Sequence, residues 1–250
     1  MKRGFKIFAM MFMVAVAAVS CFGGGDDKVV STALVGVVAG DETFDSYVVF
    51  ENGQRGLITE GGNLVDQIPD SAYYPDKATG EARAWIYYTA EVVNDLIFDG
   101  TVDIQALYPV AIQEVEMSIS DATAEIYKDD ISVSNTNINY TRNRYVNLQM
   151  FYQSADASFD SEHKFKLVYN VNKTGVFAEY YPAVDNGLLY LELYHDAGSD
   201  VGGPNYTERV ISFYLDDLMI GRHISSEYQG IKILYRSGGE VRAVEYKFAE

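Results

Sequence analysis

Hydrophobic positions fall into three regimes along this chain. The first is an unbroken apolar run, Ile7 to Val19, placed directly behind the basic residues Lys2, Arg3 and Lys6. A short basic segment before such a run is the secretory pattern. The run holds 13 residues, short of the roughly 20 that a bilayer-spanning helix needs, so residues 1–20 are predicted to be a cleaved signal. The second regime is alternation of apolar and polar residues in short segments, the mark of half-buried strands. The third is polar, glycine-bearing punctuation between them, with no helical periodicity of any length.

In the first half, Val29 to Val38 reads as an entering strand. Ser46 to Glu51 follows, with Val48 and Phe50 on one face and Tyr47 and Val49 on the other. Asn52 and Gly53 suit a type I′ hairpin because both tolerate positive φ, and Arg55 to Thr59 is the return. Gly61 to Gly80, with two prolines and no periodicity, is expected to be a long loop. Ala82 to Val93 is an aromatic strand holding Trp85, Tyr87 and Tyr88. In Val102 to Tyr108, the positions Val102, Ile104, Ala106 and Tyr108 are expected to form the core face. Five strands in about ninety residues is the count of a small closed or partly open barrel.

Ser120 precedes Asp121 to Tyr127 as an N-cap for one or two helical turns. Beyond Asp130 the alternation is clean: Val146, Leu148 and Met150; Phe165, Leu167 and Tyr169; Leu189, Leu191 and Leu193; Ile211, Phe213 and Leu215. Ile231 to Tyr235 and Val241 to Phe248 read as a terminal hairpin across Ser237, Gly238 and Gly239. This spacing predicts an antiparallel β-sandwich. The fold class is therefore all-β: signal over residues 1–20, tether over 21–28, barrel over 29–116, linker with a short helix over 117–130, and sandwich over 131–250.

Cys21 is the only cysteine. With Ala17 and Ala18 closing the apolar run ahead of Val19 and Ser20, it resembles the bacterial lipobox, although Ala18 stands where leucine is usual. The resemblance implies acylation of Cys21 and attachment to a lipid bilayer; the alternative is a lone cysteine in a signal cut elsewhere. Either way the exported chain forms no internal disulfide, and core burial alone must hold it. Phe22, the glycines 23–25, Asp26 and Asp27 read as a flexible tether. The two acids are either a signal for the outer face of the outer membrane or a solvated spacer, which leaves the periplasmic and cell-surface faces both open.

Removing residues 1–20, which hold three basic and no acidic residues, takes the formal charge from −17 to −20. That balance excludes nucleic acid as a general partner, because phosphate binding needs a cationic footprint. No catalytic constellation is recognised. The histidines His163, His195 and His223 match no metal-ligand spacing, and His195, in phase with Leu189, Leu191 and Leu193, is expected to be a half-buried structural residue. Ser161 with Lys164, and Lys173 with Thr174 and Gly175, match fragments of a penicillin-binding signature but sit about ten residues apart with no accompanying motif. No metal and no cofactor is predicted, a weak cation site at Asp196, Asp200 and Glu208 being the one alternative. Aromatic rings are the suggestive feature: Tyr180 and Tyr181, ahead of Pro182, and Trp85 are the candidate residues for a ligand or partner.

Several segments taken in order resemble the NigD-like lipoprotein family: the hairpin Asp45 to Gly53, the link Ser120 to Asp130, Leu189 to His195 leading through Asp200 to Ile211–Leu215, and the ending Val244 to Phe248. The resemblance implies an OB-like N-terminal barrel, a C-terminal β-sandwich and an outer-membrane lipoprotein, and it assigns no functional residue. The expectation is a non-catalytic envelope lipoprotein, a binding or accessory module for another envelope protein or a peptide. The alternatives are a surface lipoprotein that binds glycan and a fimbrial or structural subunit.

Overall fold

The computed structural model describes residues 30–41, 45–78, 80–92, 98–140, 144–155, 163–200, 203–221 and 223–248. The signal, Cys21, the tether and Ser161 lie outside them. Strands β1 (Ser31–Val38), β2 (Tyr47–Val49) and β3 (Arg55–Glu60) form an antiparallel meander. The turn between β2 and β3 falls at Asn52 and Gly53 but is not type I′. Only Gly53 takes positive φ, at 85°, with its N–H donating to the Phe50 carbonyl at 2.8 Å. One left-handed glycine closing the hairpin as a bulge is sufficient.

After β4 (Tyr73–Tyr74) come two long strands, β5 (Glu81–Val92) and β6 (Gly100–Glu114). β5 pairs with β1 on one side and β6 on the other, and β6 pairs in parallel with β3. The order β5-β1-β2-β3-β6 thus returns to β5 and closes a five-stranded barrel. Val35, Val37, Val48, Ala84, Ile86 and Val102 fill it with no solvent contact. The connection from Gly61 to Gly80 departs from the expected bare loop. It forms α1 (Gly62–Val65), a 3-10 turn at Asp70–Ala72 and β4, and it buries Val65, Ile68 and Tyr73 against the barrel core. Its apolar residues are too sparse to be periodic, so their burial depends on the barrel already being there.

The expected core face of β6 is also corrected. Tyr87 pairs with Ala106 but Tyr88 pairs with Ile104, so Gln105 is the extra residue of a bulge. A bulge reverses the alternation beyond it. Val102 and Ile104 point into the barrel as expected, whereas Leu107 takes the inner position after the bulge and Tyr108 is 46% exposed.

The second domain contains β7 (Ser132–Tyr140), β8 (Tyr145–Ser154), β9 (Lys164–Val168), β10 (Leu188–Asp196), β11 (Asn205–Tyr214), β12 (Gly230–Ser237) and β13 (Glu240–Lys247). The end of β6 with β11, β8 and β7 makes one layer, and β13, β12, β10 and β9 make the other. The alternating residues predicted from sequence meet between the layers: Leu148, Met150, Leu167, Leu191, Ile211 and Phe213 have no solvent contact. Pairing is antiparallel except for β6 with β11 and β10 with β12, which are parallel. Parallel neighbours need a crossover, and here β11 in the opposite layer lies between β10 and β12 in sequence. The last hairpin closes on Gly238 and Gly239 at φ 63° and 77°. Ser120 caps α2 (Asp121–Ile126) as predicted, its Oγ accepting from the Thr123 N–H at 3.2 Å.

β6 belongs to both domains. Its first part lines the barrel, while Ala111 to Glu114 pair with Ile211 to Tyr214 of the sandwich. At the junction Arg83 is completely buried, with its guanidinium 5.0 Å from the Tyr145 ring centre and 3.8 Å from a Glu51 carboxylate oxygen. Asn147 links the halves further, donating to Glu51 at 3.2 Å and accepting from the Ser212 hydroxyl at 2.6 Å.

Candidate functional site

β10 presents leucines to the sandwich core on one face and Tyr190, Glu192 and Tyr194 on the other. That second face is not solvated. Phe177, Tyr190, Tyr194, Val168 and Leu234 are buried there beneath residues of the α2 linker and of the segment between β9 and β10. Glu192 has no solvent contact. One carboxylate oxygen accepts from the Tyr181 hydroxyl at 2.8 Å and from Asn170 Nδ2 at 3.0 Å, and the other accepts from the Tyr194 hydroxyl at 2.8 Å. Burial raises the Glu192 pKa, and the three donors work in the opposite sense.

This carboxylate ties down both ends of the segment that it underlies. Asn170 sits at the start, bonding also to the Thr174 carbonyl at 2.8 Å, and Tyr181 lies near the end. Phe177, 1% exposed, packs edge-on to Tyr194 with ring centres 5.3 Å apart. Four large apolar side chains stand out among polar ones such as Asn172, Lys173, Glu179 and Asp185: Val171 is 56% exposed, Val176 39%, Tyr180 41% and Val184 78%. In a loop held this way, the entropy of ordering is already met by the fold.

The candidate aromatics are therefore divided. Tyr180 is exposed and available; Tyr181 is half-buried and committed to Glu192. Trp85 lies on the outer face of the barrel, in the other domain, so the structure does not bring it together with the loop.

The densest cluster of titratable groups is one that sequence spacing missed. His163 and His195 stack with ring centres 5.0 Å apart, and their Nδ1 and Nε2 atoms are 2.8 Å apart. His195 Nδ1 is 3.0 Å from the Asp130 carbonyl, and His163 Nε2 is 3.1 Å from Asp200 Oδ2. Ser154 donates to the same carboxylate oxygen at 2.6 Å, and the Ala155 N–H donates to the other oxygen. Proton positions follow from the acceptors. A carbonyl can only accept, so His195 Nδ1 carries hydrogen. Burial, the largest cause, lowers the His195 pKa to about 4 and keeps that ring neutral, so its Nε2 accepts from His163 Nδ1. The other nitrogen of His163 faces Asp200. The hydrogen bond from Ser154 leads the causes that hold Asp200 at about 2.

His195 is more buried than expected, at 2% exposure, because Phe165 stacks on it at 4.9 Å and Tyr152 lies at 5.4 Å. The cluster is not a nucleophile with its base. The Ser154 hydroxyl is spent on Asp200, and both nitrogens of each ring are engaged. Asp200 is thereby committed too, while Asp196 accepts from the Gly198 N–H and Glu208 from Gln149, so these three carboxylates do not converge. Among the described residues no group of three or more His, Cys, Asp or Glu is placed to hold a metal ion.

Two open depressions lie on the described surface. One of about 370 Å³ lies at the domain junction, lined by Tyr47, Arg55, Tyr74, Arg144, Tyr145 and Tyr214 among others. The second, of about 620 Å³, runs beside β9 and includes His163, Lys164, Lys166 and Arg209. In the first, Tyr74 and Tyr214 pack on each other at 4.4 Å, and Arg144 is paired with Asp216 at 2.9 Å. Burial, ahead of the hydrogen bond to Glu114, pushes the Tyr74 hydroxyl up to about 12.

Residues 114–248 match the family model of the NigD-like C-terminal beta sandwich domain. The sequence matches no curated protein. Among solved structures, a protein of unknown function from Bacteroides vulgatus superposes with a TM-score of 0.63 at 18% identity, over 89% of this chain and 92% of that one. A NigD-like immunity protein from Bacteroides caccae gives 0.55 at 18% identity, over 88% and 98%. A protein named as a candidate lipoprotein from Bacteroides fragilis gives 0.52 at 13% identity, over 89% and 100%. At such identities the likeness is one of fold.

Proposed function

The chain belongs to the NigD-like family, and from that premise we propose that it is a non-catalytic envelope lipoprotein, acylated at Cys21, that recognises a protein partner through the loop between β9 and β10. The observation that carries this reading is the pairing of Glu192 with the surface above it. A fully buried carboxylate is costly unless every lone pair is used, and here its hydrogen bonds fix a loop that exposes Val171, Val176, Tyr180 and Val184. The commitment of Ser154 to Asp200 rather than to an imidazole supports the non-catalytic part. The closed barrel with its parallel β3–β6 pair supports an OB-like reading of the first domain. The signal pattern and Cys21 support the outer membrane as the site, on its periplasmic or surface face.

Two experiments test it. Metabolic labelling with a palmitate analogue should mark the wild type and spare Cys21→Ala. Pull-down with the soluble form starting near Gly25 should recover a partner that a Tyr180→Asp, Val184→Asp double variant loses, with circular dichroism showing that the variant is folded. Equal recovery by the folded variant rejects the loop as the recognition surface.

A further inference from the structure

The outer face of the barrel carries a second unusual surface. Register places Thr32 opposite Tyr87 and Leu34 opposite Trp85 across β1 and β5, and Trp85 opposite Tyr108 and Tyr87 opposite Ala106 across β5 and β6. Directly paired residues share a face, so these six side chains form one block on three adjacent strands. The bulge at Gln105 keeps Tyr108 within it. Tyr87 and Tyr108 meet edge-on with ring centres 6.2 Å apart, and Leu34 is buried at 6% while Tyr108 is 46% exposed. None of the six is charged, in a chain whose formal charge is −17.

The block lies where the chain enters the fold. Val30 is the first described residue and is 53% exposed, and Ser31 and Thr32 pair with Tyr88 and Tyr87. Eight residues, 22–29, separate Val30 from Cys21; at no more than about 3.6 Å per residue, they reach about 30 Å at most. A lipid on Cys21 therefore holds this part of the barrel close to the bilayer. Tryptophan and tyrosine favour the lipid–water boundary, where the ring is half-sheltered and its polar end stays wet. An acidic protein is repelled from anionic headgroups, and an uncharged aromatic face is the part that can approach at least cost.

We propose that the Trp85–Tyr87–Tyr108 face lies against the lipid–water interface and orients the anchored protein on its membrane. The proposal rests on the lipoprotein reading above but can be tested apart from it. Trp85 is the only tryptophan, so its emission reports on this face alone. The mature chain from Cys21 is coupled through its single thiol to a maleimide phospholipid and incorporated into phosphatidylethanolamine–phosphatidylglycerol vesicles, with or without brominated acyl chains. Flotation checks attachment. The expected result is a blue shift of Trp85 emission on incorporation and a loss of emission in the brominated vesicles, with both effects abolished by Tyr108→Asp or, as a second variant, Ala106→Glu, while the protein still floats. Floating protein with unshifted, unquenched Trp85 overturns the proposal. So does an emission shift that follows protein concentration without vesicles, which would mean that a second copy covers the face. Because the lipid is attached chemically, failure of cellular labelling at Cys21 would count against the anchor and leave this result intact.

Discussion

Acid sensitivity centred on His195 is the prediction that the structure supports most quantitatively. An ordinary histidine takes up a proton near pH 6.5, whereas burial holds His195 neutral down to about 4. Between those values the unfolded chain binds a proton that the fold refuses, so stability falls as the pH drops through this window and the group adds no further loss below it. The gap is about 2.5 units at 1.36 kcal/mol each, or about 3 kcal/mol, and at 2% exposure little solvent screening reduces it. His195→Gln keeps a neutral hydrogen-bonding side chain that does not titrate, so it should be less stable near neutrality yet flatter with pH. Urea denaturation of both proteins at pH 7 and pH 4.5 isolates the effect: the wild type should lose about 2–3 kcal/mol more than the variant. Losses within about 0.5 kcal/mol of each other would show that His195 is already charged in the fold or that its ring is not sealed from water.

Other expectations follow from single contacts. Glu192→Ala leaves Asn170, Tyr181 and Tyr194 without their shared acceptor and should cost about 3–5 kcal/mol, with limited proteolysis showing earlier cleavage between β9 and β10. Gly61→Val should destabilise the barrel, since Gly61 sits at φ 86° and an added Cβ would fall 2.3 Å from the Ile104 carbonyl oxygen; thermal melts would read it, and Gly62→Ala, where an added Cβ meets nothing within 4 Å, is the control. Leu191→Ala in the sandwich core should cost about 2–5 kcal/mol in chemical denaturation.

What the sequence makes legible is the face of each strand that meets the main cores. Alternation at Val146, Leu148 and Met150, or at Leu189, Leu191 and Leu193, survives because a side-chain period of two is imposed wherever one face is buried. The second face is harder to read. Tyr145 and Asn147 look like a wet surface and are covered by the barrel; Tyr190, Glu192 and Tyr194 look the same and are covered by the α2 linker and the segment before β10. A hint was present in β10, where the expected wet face carries two tyrosines around one acid, a composition suited to a buried carboxylate. The pairing of His163 with His195 and Asp200 left no local trace, since it joins the residue before β9 to the end of β10 and the turn behind it, 32 and 37 residues away in the chain. The bulge at Gln105 was equally hidden, and a single extra residue there decides that Leu107 rather than Tyr108 enters the core.

The placement of these covered faces follows from one strand. β6 runs for 15 residues, too long for the barrel alone, and its surplus becomes an edge to which β11 adds in parallel. Once β11 is fixed there, β8 lies beside it with its outer face turned to the barrel, which is why Tyr145 and Asn147 are buried and why Arg83, sealed at the seam, takes its counter-charge from Glu81 and Glu51. The opposite layer has no barrel to cover it. The chain supplies that cover itself, from the α2 linker and the segment after β9, and the cover needs a fixed point. Glu192 is that point, so the same residue that completes the second layer also sets the geometry of the exposed loop above it. Without a disulfide to hold that loop, its order depends on the packing of Phe177 and on hydrogen bonds to one buried acid, and for this reason stability and loop order should be lost together when that acid is removed.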